Sequence, residues 1–111
     1  MSSGRSWKIL CWNVRGLNAT KKWNSIRDKI IDSRCDIICL QETKKQEFDY
    51  LFIKKICPAS FNKFEFVPSN GASGGMLVAW KDSLFDGELV FHNSFAMSLE
   101  FTSRVNNAPG S

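Results

Sequence analysis

Two short apolar runs dominate the hydropathy pattern, and each delivers a polar group at its carboxyl end. The first is Trp7-Lys8-Ile9-Leu10-Cys11-Trp12-Asn13-Val14-Arg15-Gly16-Leu17, and the second is Asp36-Ile37-Ile38-Cys39-Leu40-Gln41-Glu42-Thr43-Lys44. Continuous apolar runs of this length are the mark of strands buried on both faces. Between them, Arg15 to Thr20 reads as a loop with Thr20 as a helix cap. The helix that follows carries Trp23, Ile26, Ile30 and Ile31 on one face. A second amphipathic helix is expected over roughly Gln46 to Ile56, with Phe48, Leu51, Phe52 and Ile56 at helical spacing and Pro58 beyond its end.

From Phe61 to Val67 the period changes: Phe64 and Phe66 alternate with Lys63 and Glu65, as in a half-exposed strand. Residues Pro68 to Gly75 form a Gly-rich loop that turns into a third apolar strand, Met76 to Trp80. Such a loop can cradle phosphate through its N–H groups, but between strands it serves far more often as a turn. Strands are expected at Glu88 to His92 and Phe95 to Phe101. The pattern predicts an α/β fold: a mixed sheet flanked by two helices. Open sheets of this kind bind ligands at the carboxyl ends of their strands. If the first two strands are parallel neighbours, the Asn13 amide and the Glu42 carboxylate converge there, a hard-oxygen pair suited to Mg²⁺ and phosphate.

Composition narrows the class. The chain is 43% hydrophobic and 23% charged, which fits a globular piece of one domain at most. No run approaches the roughly 18 apolar residues of a membrane span, and Met1 to Ser6 holds no apolar signal region, so an intracellular protein without a membrane partner is expected. Cys11 and Cys39 fall inside strand runs, where a free thiol behaves as a small hydrophobe. Cys35-x-x-x-Cys39 stands without the further donors of a zinc site.

Charge is distributed unevenly within the net +4. Residues 1–34 hold eight Lys or Arg against two Asp, a balance of +6, and the remainder balances at −2. Lys21, Lys22, Arg27, Lys29 and Arg34 fit the solvated face of the first helix. Arg15, one step from the strand end, is the candidate for contact with a phosphate backbone. The only histidine, His92, reads as an ordinary strand or turn residue.

Three segments, KILCWNVRGLN (8–18), DIICLQETK (36–44) and SNGASGGMLVAW (69–80), resemble the opening motifs of the endonuclease/exonuclease/phosphatase family, the deoxyribonuclease-I-like metal-dependent phosphodiesterases. They look most like the endonuclease domain of plant LINE-type (non-LTR) retrotransposons. The resemblance spans residues 7–101 and implies a partial domain there, with flexible ends at 1–6 and 102–111. It implies that Asn13 orients the metal site and phosphate, that Glu42 ligates Mg²⁺ (or Mn²⁺), and that the intact domain acts on DNA, placing it in the nucleus. The family's further Asp, its Asp-x-Asn segment and its Asp-His pair have no counterpart in this sequence. The resemblance therefore implies the N-terminal half of a four-layer sandwich, with weak metal binding and no turnover by the chain alone. A face built to pack against the missing sheet is expected to expose some of Phe64, Phe66, Phe91, Phe95, Met97, Leu99 and Phe101 and to be open to self-association. The alternative function is a noncatalytic nucleic-acid or protein interaction module.

Overall fold

The computed structural model describes residues 7–70, 74–93 and 96–104. Its elements follow one another as β1 (Ile9–Asn13), α1 (Thr20–Ser33), β2 (Ile37–Gln41), α2 (Tyr50–Ile56), β3 (Lys63–Val67), β4 (Met76–Trp80), β5 (Phe85–His92) and β6 (Met97–Ser103). The first four strands form a mixed sheet in the order β1-β2-β4-β3, and β5 and β6 form a separate antiparallel hairpin. β1 and β2 are parallel, which requires the long crossover that α1 supplies. β4 runs antiparallel to both β2 and β3.

The pleat sorts side chains onto two faces. One face carries the rungs Leu10/Ile38/Ala79/Phe64 and Trp12/Leu40/Leu77/Phe66. These pack with Ile26 and Ile30 of α1 and Ile53 and Ile56 of α2 into the larger core. The opposite face carries Ile9/Ile37/Trp80/Lys63 and Cys11/Cys39/Val78/Glu65. There Ile37, Val78, Trp80 and the fully buried Phe85 form a smaller core with Met97, Leu99 and Phe101. The hairpin can approach this closely because Gly87 has no side chain: a Cβ there would lie 2.6 Å from the Trp80 ring and 2.9 Å from Phe101.

Several expectations are corrected by this arrangement. β1 is an edge strand, not one buried on both faces, and Ile9 is 58% exposed. Ala19 occupies the cap position of α1 with no side-chain cap bond, so Thr20 is its first helical residue. Ile31 points outward, 55% exposed, because the core-facing stripe of α1 runs through Trp23, Ile26 and Ile30. α2 starts at Tyr50, since the Asp49 carboxylate accepts from the Phe52 N–H and fixes the N-terminus there. Leu51 is 71% exposed, and Ile53 takes the buried position.

The expected open apolar face is mostly covered. Phe64 and Phe66 lie on the helix side, while Met97, Leu99 and Phe101 pack into the smaller core. Phe91 remains, 55% exposed, beside the exposed Val90; Phe95 lies outside the described residues. Thr102 and Ser103 belong to β6 and not to a fraying tail. Two cations assigned to the solvated face are also tied down: Lys22 donates to the Val14 carbonyl, and Arg27 donates to the carbonyls of Lys54 and Cys57. The latter pair joins α1 to the end of α2.

Candidate active site

Parallel pairing brings Asn13 and Gln41 side by side as the last rung of β1 and β2. The two chains stay paired past the strand ends. Val14 N–H donates to Gln41 O, Gly16 N–H to Glu42 O at 2.7 Å, and Leu17 N–H to Thr43 O at 3.0 Å. On the other side, Thr43 and Lys44 N–H groups donate to the carbonyls of Gly75 and Gly74, and Ser69 N–H donates to Lys45 O. Three loops are thereby stitched into one platform at this end of the sheet.

The platform's backbone is strained. Arg15, Glu42 and Lys44 all sit at φ of 54° to 57°, the left-handed region. For residues with a side chain this costs about 1–2 kcal/mol each, and such residues cluster at functional sites. Gly75 makes the stitching possible: at φ +93°, a Cβ there would lie 2.4 Å from Thr43 Oγ1 and 3.2 Å from Lys44 N. Gly74 and Gly75 thus offer carbonyls to the neighbouring strand extension, and Gly75 permits the close packing. Thr43 Oγ1 and Ser69 Oγ are buried beside this contact and have no hydrogen-bond partner among the described residues.

Out of the platform project the two polar groups expected from the sequence. Asn13 Nδ2 donates to Glu42 Oε2 at 2.6 Å, in an exposed position. One carboxylate oxygen is thus held by the amide and the other is free to meet a ligand. Arg15 and Lys44 are exposed beside the pair, and the Lys44 stem lies against Gly16, with Cδ 3.6 Å from where a Cβ would stand. Among the described residues neither cation has an acidic partner. The two therefore leave positive potential next to a carboxylate, a combination that suits a phosphate bound together with a divalent cation.

Lys44 joins the candidates only through the structure. Its signal was a cation two residues past Glu42, matching Arg15 two residues past Asn13. His92 ends β5 opposite Met97, in the hairpin and not on the platform. A hollow of about 600 Å³ lies along the outer side of α1, lined by Trp12, Ser25, Asp28, Lys29, Ile31 and Asp32, and holds none of the platform residues. Among the described residues no group of three or more His, Cys, Asp or Glu is placed to hold a metal ion, so Glu42 is the one carboxylate of the strand-end pair.

The strand-end geometry coincides with a family match. The Endonuclease/Exonuclease/phosphatase family model matches residues 10–100, most of the chain and both strand-end motifs. The chain belongs to the endonuclease/exonuclease/phosphatase family. A solved structure agrees with this fold: the AP endonuclease LMAP from Leishmania major matches with a TM-score of 0.54 at 22% identity, over 81% of this chain and 32% of its own. The catalytic domain of Xenopus laevis APE2 matches with a TM-score of 0.49 at 26% identity, over 72% of this chain and 26% of its own. The chain thus spans between a quarter and a third of the length of these family structures. Among curated proteins no relative matches. The mixed sheet with two helices is a part of the family's α/β fold.

Proposed function

We propose that this chain is the N-terminal part of a Mg²⁺-dependent phosphodiesterase, an endonuclease of plant LINE-type retrotransposon origin that nicks DNA in the intact protein and works in the nucleus. The observation that carries the reading is the Asn13–Glu42 hydrogen bond at the carboxyl end of two parallel strands. Residues 7–101 are its domain portion. The LINE-type assignment rests on the wording of the three motifs, and the choice of DNA is supported by the description of LMAP as an AP endonuclease.

The residues present fit a hard divalent cation. Mg²⁺ is held by one or two carboxylates together with waters and substrate oxygens, and Glu42 offers one free carboxylate oxygen. Bound there, Mg²⁺ would supply Lewis-acid polarisation of a phosphodiester oxygen. Asn13 holds the Glu42 carboxylate in one orientation through Nδ2, and its amide oxygen remains for water or substrate. Arg15 and Lys44 attract and position the flanking phosphates. A base and the remaining transition-state donors would come from outside these 111 residues, so the chain alone binds the cation weakly and does not turn over.

Titration with Mn²⁺ followed by electron paramagnetic resonance tests the first part: weak binding lost on Glu42→Ala supports the assignment, and binding unchanged by that substitution rejects it. A Mg²⁺-dependent plasmid-nicking assay, run on this chain beside a longer protein carrying a full family domain, tests the second. Turnover is expected in the longer protein and not in the chain. Nicking by the chain that disappears on Glu42→Ala would mean that a base is supplied within these residues or by a second copy.

A second reading, a noncatalytic nucleic-acid module, is favoured by the unneutralised Arg15 and Lys44. It predicts weak, salt-sensitive, sequence-independent binding, because phosphate contacts carry no sequence information. Fluorescence anisotropy on a short duplex should show a larger loss for Arg15→Ala than for Lys29→Ala; equal losses would mean that the charge acts diffusely. Self-association would use the exposed Ile9, Val90 and Phe91, and sedimentation velocity reads it directly.

A further inference from the structure

We propose that Cys11 and Cys39 form a two-thiolate binding site for a soft, thiophilic cation of the Cu(I) class. The two residues are direct register partners in the parallel pair β1–β2, flanked by the rungs Ile9/Ile37 and Asn13/Gln41. Side chains alternate along a strand, so both thiols leave the sheet on one face, the face opposite the helices. Cys11 is exposed because β1 is the sheet edge, and Cys39 is half-buried. The hairpin packs on Ile37, Val78 and Trp80 and leaves the Cys11 side of the face reachable.

The two thiols face each other closely enough to interact. Burial pushes the Cys39 thiol up to about 11, and the neighbouring Cys11 adds to this by charge and by a hydrogen bond. A cation between the sulfurs would offset the burial and the neighbouring charge that hold the Cys39 thiol protonated. Spacing favours such a bridge. Neighbouring strands lie about 4.7–4.9 Å apart, and two metal–thiolate bonds of about 2.3 Å end to end span about 4.6 Å. Both thiols are free in this structure. The donor set selects the ion: two sulfurs with no third His, Cys, Asp or Glu gathered among the described residues fall short of a four-ligand zinc site, and soft thiolates favour Cu(I).

The site is independent of the nuclease reading, although it lies close to that reading's residues. Asn13 and Gln41 are two residues further along, about 6.6 Å at strand rise. Cys35 and Cys57 supply an internal control: they too influence one another, but both are buried in the helix-side core, where a cation has no path.

The test is anaerobic titration of the reduced chain with Cu(I) against a chromophoric Cu(I) chelator, with circular dichroism on every variant. One equivalent is expected to bind. Cys11→Ser and Cys39→Ser should each weaken binding by about 100-fold or more, beyond the 10–100-fold that outer-shell partners contribute. Cys35→Ser should leave it unchanged. Alkylation of the exposed Cys11 with iodoacetamide should abolish binding in the otherwise unaltered chain, which keeps the test decisive where Cys39→Ser fails to fold. Binding that survives both Cys11→Ser and alkylation, or that is lost in a folded Cys35→Ser variant, would overturn the proposal.

Discussion

The two faces of the four-stranded sheet are built from the same strands and have opposite duties. The helix face is closed: Ile38, Leu40, Leu77 and Ala79 are fully buried beneath Ile26, Ile30, Ile53 and Ile56. The other face is covered at one end by the hairpin around Phe85 and is left accessible at the other, where Cys11, Asn13 and Gln41 are exposed. Stability and the proposed chemistry are thus separated across a single layer of backbone. The strained platform belongs to the second duty, and the close-packed core that holds it in place belongs to the first.

That contrast breaks most visibly in the core. Leu40→Ala should cost about 2–5 kcal/mol, enough to unfold much of the molecule, as urea denaturation would read. A loss below about 1 kcal/mol would mean that the helix face is not the stabilising one. Next in size is Gly75→Ala. The added Cβ meets Thr43 Oγ1 and the Lys44 N–H and adopts a φ of +93°, so a loss of about 1–3 kcal/mol is expected. Backbone amides at Thr43 and Lys44 should show the largest hydrogen-exchange change; a change confined to the hairpin would contradict the stitched platform.

A graded effect follows from the buried thiols. Burial, with Cys35 nearby, pushes Cys57 up to about 12, while Arg27 opposes the rise. A folded pKa above the unfolded value stabilises the protein below the unfolded pKa, and that stability is lost as pH rises towards the folded one. Thermal stability should therefore fall between about pH 9 and pH 12, and less so in Cys57→Ala compared with its own value at pH 7. A slope unchanged by that substitution would locate the sensitive group elsewhere. The smallest effect belongs to the open face. Glu42→Gln should change stability by less than about 0.5 kcal/mol, as expected for an exposed position. A larger loss would make the Asn13–Glu42 bond a structural clasp.

How much of this was legible depends on which interactions each residue reports. β2 was readable because Ile37, Ile38 and Leu40 are buried on both faces of a central strand. β1 presents a similar run, but its place at the edge depends on strand order, which no local pattern records. The Asn13–Glu42 pair was legible because strand ends carry their own punctuation, and parallel pairing of consecutive strands then fixes the meeting point. The start of α2 was not, because Phe48 falls at helical spacing yet is buried from the loop ahead of Asp49. Lys22 and Arg27 look like solvated cations in a sequence. Only the tertiary approach of Val14, Lys54 and Cys57 carbonyls gives them partners.

The order β1-β2-β4-β3 also sets a sequence of events during synthesis. β3 leaves the ribosome before β4, yet its neighbour in the sheet is β4 and not β2. Until Met76–Trp80 has emerged and paired with β2, Lys63–Val67 has no edge to join, and Phe64 and Phe66 have no sheet rung on which to sit. A nascent chain that has emerged to about residue 70, with Met76–Trp80 still inside the ribosome, therefore displays an unpaired aromatic strand, the kind of surface that chaperones shield and that aggregates when left waiting.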